Sequence, residues 1–302
     1  MKEGKKDLEA AYREAKKVER QKKSLPVEQP TPFVLEATPM HECVSIITLD
    51  GRQKEIPKPK SVRFNRTNNS VDWAKWTWNP VTGCNHGCSF CYARELAISQ
   101  RMEQSYPFGF TPSFHEYRLR APSETTIPKS TDPREKRVFV CSMADLFGKW
   151  VPEEWIQKVF DACLRAPAWE YLFLTKWPNK YAQMPLLEQA WYGASVIQQA
   201  DVSRVEKAMS AFEAEGITKW ISMEPMLEPI QFNDLSWCNL MVIGSQTQTY
   251  QPDGLSPAIP ANFDNVVDVV IQCRDFGVPY FLKANIGIEP PGMELPKMMP
   301  RK

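Results

Sequence analysis

The 302-residue chain contains no long hydrophobic run; nothing in it approaches the roughly 18 consecutive apolar residues of a membrane-spanning helix. Its lysine-rich start, MKEGKKDLEAAYREAKK, lacks the apolar centre of a secretion signal. A secreted disulfide framework is therefore not expected, and the eight cysteines need another explanation. Tandem repeats are missing too. Neither sign of charge dominates, the formal net charge being +1, and 43% hydrophobic with 24% charged residues excludes wholesale disorder. These absences point to a soluble, cytoplasmic protein without a membrane partner, long enough for one large domain and a smaller appendage.

What charge there is has an uneven distribution. Residues 1–23 carry nine basic and five acidic side chains, and residues 52–67 add Arg52, Lys54, Lys58, Lys60, Arg63 and Arg66 against Glu55 alone. Such a basic extension suits a polyanion, because Lys and Arg displace counterions from a phosphate backbone, although a solvated, partly helical tail has the same composition. Residues 1–23 show weak helical spacing, and LPVEQPTP after them reads as an extended linker. In VSIITLDGRQKEI, Asp50-Gly51 between two strand-like runs predicts a β-hairpin. The domain organisation expected is a basic arm, linker and possible hairpin over 1–70, then a main domain over 71–302.

From residue 70 onward, short apolar runs alternate with helical patterns, the mark of repeated βα units and a parallel sheet or barrel. Strands are expected at Lys75 to Val81, Arg137 to Cys141, Tyr171 to Thr175, Trp191 to Val196, Lys219 to Met223, Asn239 to Gly244 and Pro279 to Lys283. Helices are expected at Pro152 to Arg165, Asp201 to Glu215 and Asn262 to Phe276. Polar residues recur where these strands end, and in α/β barrels that is the edge where active sites are built. They are Ser142 and Asp145, Thr175 and Lys176, Ser195, Glu224, Ser245 and Gln246, and Lys283.

Three of the cysteines cluster in WNPVTGCNHGCSFCYARELA. Cys84, Cys88 and Cys91 make a CxxxCxxC spacing between a predicted strand and a predicted helix, so their thiolates can converge. Soft thiolates select iron-sulfur clusters or zinc, and three local ligands leave one metal position open. Gly83 and Gly87 allow the backbone to bend around an inorganic core. The zinc alternative completes a tetrahedral site with His86 or Cys43.

The spacing resembles that of radical SAM proteins, in which S-adenosylmethionine chelates the open iron of a 4Fe-4S cluster; by that likeness Phe90 packs beside the adenine. WNPVTGCNHGCSFCYA, VFVCSMADLF, FLTKWPNKY, YGASV, ISMEPML, MVIGSQ and GVPYFLK, in that order, resemble a phage-associated radical-SAM-like family of unknown function. The resemblance covers roughly 70 to 287 and implies a partial (β/α)6-type barrel. It also implies cluster ligands at Cys84, Cys88 and Cys91, and S-adenosylmethionine or substrate contacts at Asp145, Thr175, Lys176 and Glu224. This chain reads GASVIQQ where relatives tend to read GVSVENQ, and GSQTQ where they tend to read GGESG, so an acidic side chain is missing at both places. Either the substrate differs or contacts have moved to Ser195, Gln198 and Gln246.

The function expected is reductive cleavage of S-adenosylmethionine to a 5'-deoxyadenosyl radical that modifies or rearranges a nucleic acid base, in its sharpest form an amino-acid-decorated thymine in phage DNA. Ser142 joins the cofactor contacts. Lys283 or Lys176 would pair with a substrate carboxylate, and Cys141, near the barrel mouth, would quench a radical. A one-electron reductant such as flavodoxin or ferredoxin is the implied partner besides DNA. The alternatives are a radical SAM enzyme acting on a protein or metabolite, and a zinc-stabilised nucleic-acid-binding module without catalysis.

Overall fold

The computed structural model describes residues 43–67, 73–188, 190–213, 216–251 and 254–287; the basic arm and the linker lie outside the described residues. Cys43–Thr48 (β1) and Gln53–Pro57 (β2) form the antiparallel hairpin expected from Asp50-Gly51, with Gly51 at a left-handed φ of +81°. Asn65–Arg66 (β3) pairs antiparallel with Trp76–Trp78 (β4), and Val81–Thr82 (β5) pairs antiparallel with Ser113–Phe114 (β6). Because β1 also pairs with β6, the hairpin belongs to the compact unit that runs from Glu42 to Lys302, and not to an appendage ending near 70. The single strand expected at Lys75 to Val81 is broken in two. Pro80 has no N–H for a ladder, and the chain crosses there from one sheet to the other.

The other strands fall where the apolar runs place them: Arg137–Val140 (β7), Glu170–Thr175 (β8), Ala190–Ser195 (β9), Thr218–Met223 (β10) and Leu240–Ile243 (β11). Thr249–Gln251 (β12) and Gly254–Ser256 (β13) make a separate small hairpin, and Tyr280–Leu282 (β14) follows. The large sheet has the order β14-β11-β10-β9-β8-β7-β4-β3, parallel from β4 through β14, with only β3 antiparallel. No pairing joins β3 to β14 among the described residues, so the architecture is mixed α/β with an open, mostly parallel sheet.

The helices are Tyr92–Ile98 (α1), Ala121–Glu124 (α2), Glu153–Leu164 (α3), Gln199–Ser210 (α4) and Phe263–Asp275 (α5). Asn262 caps α5 by accepting from Asn265 N at 3.2 Å. No helix among the described residues is long and apolar enough to cross a membrane.

Strands buried on both faces read as continuous apolar runs, and the two faces have different partners. On one, Val138, Tyr171, Phe173, Tyr192, Ile221 and Met241 pack with Ile156, Val159 and Phe160 of α3, Val202 and Val205 of α4, and Val266 and Val269 of α5. Truncating a side chain such as Phe173 there would cost about 3–5 kcal/mol. On the other face, Phe139, Leu172, Trp191, Trp220, Leu240 and Val242 form a second cluster with Trp73 and Ala74. Trp220 lies across Gly193, where an added Cβ would sit 2.3 Å from the indole, and its Nε1 donates to Phe173 O at 3.1 Å. Trp73 completes this aromatic floor, 5.1 Å from Trp220 and 4.7 Å from Phe139 between ring centroids. Further along β9 and β10 on this face, the alternation of side chains reaches Ser195 and Ser222, and Glu224 follows just past the end of β10.

Candidate functional site: the cysteine loop at the strand ends

Parallel strands open their following loops at one edge, where ligands of α/β sheets bind. The cysteine loop follows β5 and is clamped before its first cysteine. Gly83 N donates to Met143 O at 2.8 Å and Cys84 N donates to Phe110 O at 3.3 Å. Gly83 has φ +79°, and a Cβ there would stand 2.4 Å from Thr111 O, so only glycine fits.

The segment after β7 supports the loop from below. Cys141 takes a left-handed φ of +57°, uncommon for a residue with a side chain, and this turns the chain sharply as β7 ends. Asn79 Oδ1 accepts from Met143 N at 2.9 Å and from Ser142 Oγ at 3.2 Å. Ser142 Oγ also meets Thr77 Oγ1 at 2.6 Å, and the Tyr92 hydroxyl donates to Ser142 O at 2.7 Å. Ser142 is thus occupied in joining β4, the turn after β7 and the start of α1.

Asp145 is the centre of the arrangement and is 5% exposed. Its Oδ1 accepts from Thr175 Oγ1 at 2.7 Å and Phe147 N at 3.0 Å, and its Oδ2 accepts from Lys176 N at 2.9 Å. The fourth partner is His86 Nε2, 2.7 Å from Oδ2. A carboxylate only accepts, so Nε2 carries the proton, and all of the roughly four lone-pair sites are used. Thr175 Oγ1 in turn accepts from Trp177 N at 2.8 Å. The edge of His86 meets Trp150, ring centroids 4.8 Å apart.

The thiols of Cys84, Cys88 and Cys91 are half-buried. Burial, opposed by the His86 N–H that donates to the sulfur and reinforced by the charges of Asp145, Cys88 and Cys91, pushes Cys84 up to about 12. Burial also raises Cys91, against N–H donation from Arg94 and Ala93 at the start of α1. The sulfurs of Cys84 and Cys91 therefore face backbone donors and lie near that of Cys88, and a bound cation would favour their deprotonated form. In this conformation no three His, Cys, Asp or Glu side chains among the described residues are drawn together as metal ligands. By donor chemistry, three soft sulfurs on one loop are the ligand type of an iron-sulfur cluster or of zinc.

Across the opening, Glu224 and Lys283, at the ends of β10 and β14, form an ion pair, their side chains 20% and 14% exposed. Ser222 Oγ donates to Glu224 at 3.3 Å. Gly244 leaves room for the pair, since a Cβ there would lie 3.0 Å from Glu224 Cγ and 3.1 Å from Lys283 Cδ. The pair is near the cysteine loop: burial around its hydroxyl, then the charges of Cys91 and Glu224, push the Tyr92 phenol up. Lys176 Nζ stands 5.6 Å from the Phe90 ring centroid, beside the loop. Ser195, half-buried, faces Ser222 across β9 and β10.

Other expected residues have structural surroundings. Gln246 is buried, and its amide donates to Pro257 O at 2.7 Å and Ser256 Oγ at 3.2 Å, holding the β13 hairpin. Ser245 Oγ accepts from Ala261 N at 2.9 Å. Gln198 is an exposed residue before α4. Cys141 is buried in the main core, and burial pushes its thiol up to about 12. Cys43 is exposed at the start of β1. Sequence reasoning treated His86 only as a metal ligand and passed over Asn79 and Tyr92; none has a local signal, because each is defined by a partner about 50 or more residues away.

No curated protein and no solved structure matches the chain. A family model does, over residues 68–292. This span begins just before β4 and takes in the cysteine loop, Asp145, the Glu224–Lys283 pair and every parallel strand of the large sheet, and the chain accordingly belongs to the DUF5131 family, proteins of unknown function.

Proposed function

We propose that the chain is a radical SAM enzyme in which Cys84, Cys88 and Cys91 hold a 4Fe-4S cluster, with a nucleic acid base as substrate and, in the sharpest form, an amino-acid-decorated thymine in phage DNA. The observation that carries this reading is three half-buried thiols on one clamped loop, two of them facing backbone N–H donors, at the edge where the parallel strands open. When bound, the cluster and S-adenosylmethionine supply an electron and a 5'-deoxyadenosyl radical that takes hydrogen from the substrate. A flavodoxin or ferredoxin is the reductant this reading requires.

The chain's own residues would position and shield. The Trp73–Trp220–Phe139 floor closes the sheet face beneath the opening and keeps water out of it. Glu224 and Lys283 offer opposite charges side by side, so an amino-acid group can exchange into the pair, its ammonium on Glu224 and its carboxylate on Lys283. Each charge-assisted hydrogen bond made in that way is worth roughly 1.5–3 kcal/mol. The same charges also suit the methionyl end of S-adenosylmethionine. Thr175 and Asp145 hold the cysteine loop through His86.

One observation favours a second reading. A histidine that donates one ring nitrogen to a carboxylate is a common arrangement of zinc ligands, and His86 does this with Asp145. A zinc-stabilised nucleic-acid-binding module would use His86 Nδ1 with the three thiols. Anaerobic incubation with S-adenosylmethionine, dithionite and candidate DNAs, with mass analysis of the nucleosides, separates the readings. An altered nucleoside together with 5'-deoxyadenosine supports the enzyme and its substrate. 5'-Deoxyadenosine without an altered nucleoside moves the substrate to a protein or metabolite, and neither product, with zinc in the protein, supports the module.

A further inference from the structure

Beside the cysteine loop, the strand-end segments expose cations against aromatic rings. Lys149 Nζ stands 3.6 Å from the centroid of Trp177, and Arg204 Cζ stands 5.6 Å from the same ring. Arg204 reaches there from α4, fixed by Asp201 at 2.7 Å and by a short hydrogen bond from its NH1 to Lys176 O. Lys176 places its own ammonium 5.6 Å from the Phe90 ring on the far side. Lys149 is exposed, and Trp150 and Trp177 are each half-exposed. Trp150 packs on His86, and its Nε1 is buried with no acceptor among the described residues.

The cations exceed the acids here. Among the described residues, Asp201 is the one acid at hydrogen-bond range of the Lys149, Lys176 and Arg204 side chains, and Asp145, which accepts from Lys176 N, is buried, so the three cations outnumber the two acids. Internal ion pairing therefore leaves positive charge on a surface that also presents two indoles. Alternating cations and flat rings suit one kind of partner: a flexible polyanion whose repeating unit carries both a charge and a π-face. Single-stranded nucleic acid has that composition, since its phosphates meet Lys and Arg while its unstacked bases lie on Trp. A paired duplex keeps its bases stacked and would use only the charges.

We propose that Lys149, Trp177 and Arg204 form a single-strand platform that holds the nucleotides flanking the one delivered to the cysteine loop. The inference rests on the nucleic-acid reading above and is independent of any cluster chemistry. Lys149 covers one Trp177 face in the free protein; being exposed, it can swing to the neighbouring phosphate and leave that face to a base. The link from the platform to the loop is short: Trp177 N donates to Thr175 Oγ1, which donates to Asp145, which accepts from His86.

The test is fluorescence anisotropy of a labelled single-stranded DNA oligonucleotide, titrated with the full chain across a salt series, beside a duplex of the same sequence. Three proteins are compared: the parent, Lys149→Ala and Trp177→Leu. Lys149 is exposed, so its replacement keeps the fold, and thermal unfolding checks both variants. Trp177→Leu is expected to weaken single-strand binding about tenfold, within the range of one lost base stack, with little effect on the duplex. Lys149→Ala is expected to lower the slope of log K against log salt by about 0.7, one phosphate contact on a single strand. If the parent binds the oligonucleotide and both variants bind it equally well with the same slope, the platform is wrong while the nucleic-acid reading survives. If the parent binds neither oligonucleotide nor duplex, the nucleic-acid reading fails and takes the platform with it.

Discussion

His86 Nε2 lies 2.7 Å from Asp145 Oδ2, joining residues 59 apart in sequence, and this hydrogen bond ties the loop carrying the three cysteines to the ends of β7 and β8. Asp145 then has no lone pair left for a ligand. These partners fit a positioning residue for the cysteine loop, a role distinct from the expected contact to S-adenosylmethionine.

Replacing Asp145 with Asn tests that role. The amide keeps the shape but turns one acceptor into a donor, which then faces either the Phe147 N–H and the Thr175 hydroxyl or the Lys176 N–H and His86 Nε2. An unsatisfied buried N–H costs roughly 1–3 kcal/mol. The midpoint of thermal unfolding should fall by several degrees, at about 2–4 °C per kcal/mol for a unit of this size. An unchanged midpoint with a selective loss of S-adenosylmethionine affinity would return Asp145 to the ligand.

The two glycines of the cysteine motif should differ. Gly83 and Gly87 have φ of +79° and +71°, but only Gly83 has backbone within reach of an added Cβ, at 2.4 Å. Gly87→Ala should cost about 1–2 kcal/mol, the left-handed penalty alone. Gly83→Ala should add a clash with Thr111 and fail to accumulate as folded protein. Equal urea midpoints for the two variants would show that the clamp at Gly83 is not in place.

Thiol reactivity reads the burial of the cysteines directly. Cys43 is exposed, whereas burial pushes Cys141, Cys238 and Cys273 up to about 12 and holds Cys163 well above the usual thiol range. Since the thiolate is the nucleophile, iodoacetamide at neutral pH should modify Cys43 first and leave these four intact until the protein unfolds. Peptide mapping that finds Cys141 modified as early as Cys43 would remove it from the core.

The Glu224–Lys283 pair is suited to a double-mutant cycle. Glu224→Gln and Lys283→Met each leave a partly buried charge without its partner, and the double variant leaves none. Urea unfolding should give a coupling of about 0.5–3 kcal/mol. A coupling near zero would mean that the two groups do not interact when folded, and the exchange of a zwitterion into the pair would lose its basis.

Much of the scaffold was legible because β8, β9, β10 and β11 are buried on both faces, which makes Tyr171 to Leu174 or Leu240 to Ile243 apolar without interruption. The same uniformity hid which face is which. Trp191, Gly193 and Ser195 alternate with Tyr192 and Ala194, but nothing local says that the first set meets Trp220 while the second meets the helices. The two-residue strands β5 and β6 were invisible because they exist only through pairing with each other and with β1. At the site, cysteine spacing was readable within eight residues. The His86–Asp145 tie was not, since its partner is chosen by the fold and a histidine between cysteines looks like a ligand.

Metal analysis of anaerobically prepared protein tests the central claim most directly, with Cys88→Ala alongside. The account expects a brown protein with about four iron atoms and matching acid-labile sulfide per chain, all lost in Cys88→Ala and all retained in Cys163→Ala. A colourless protein holding one zinc, or an iron content that survives Cys88→Ala, would contradict it.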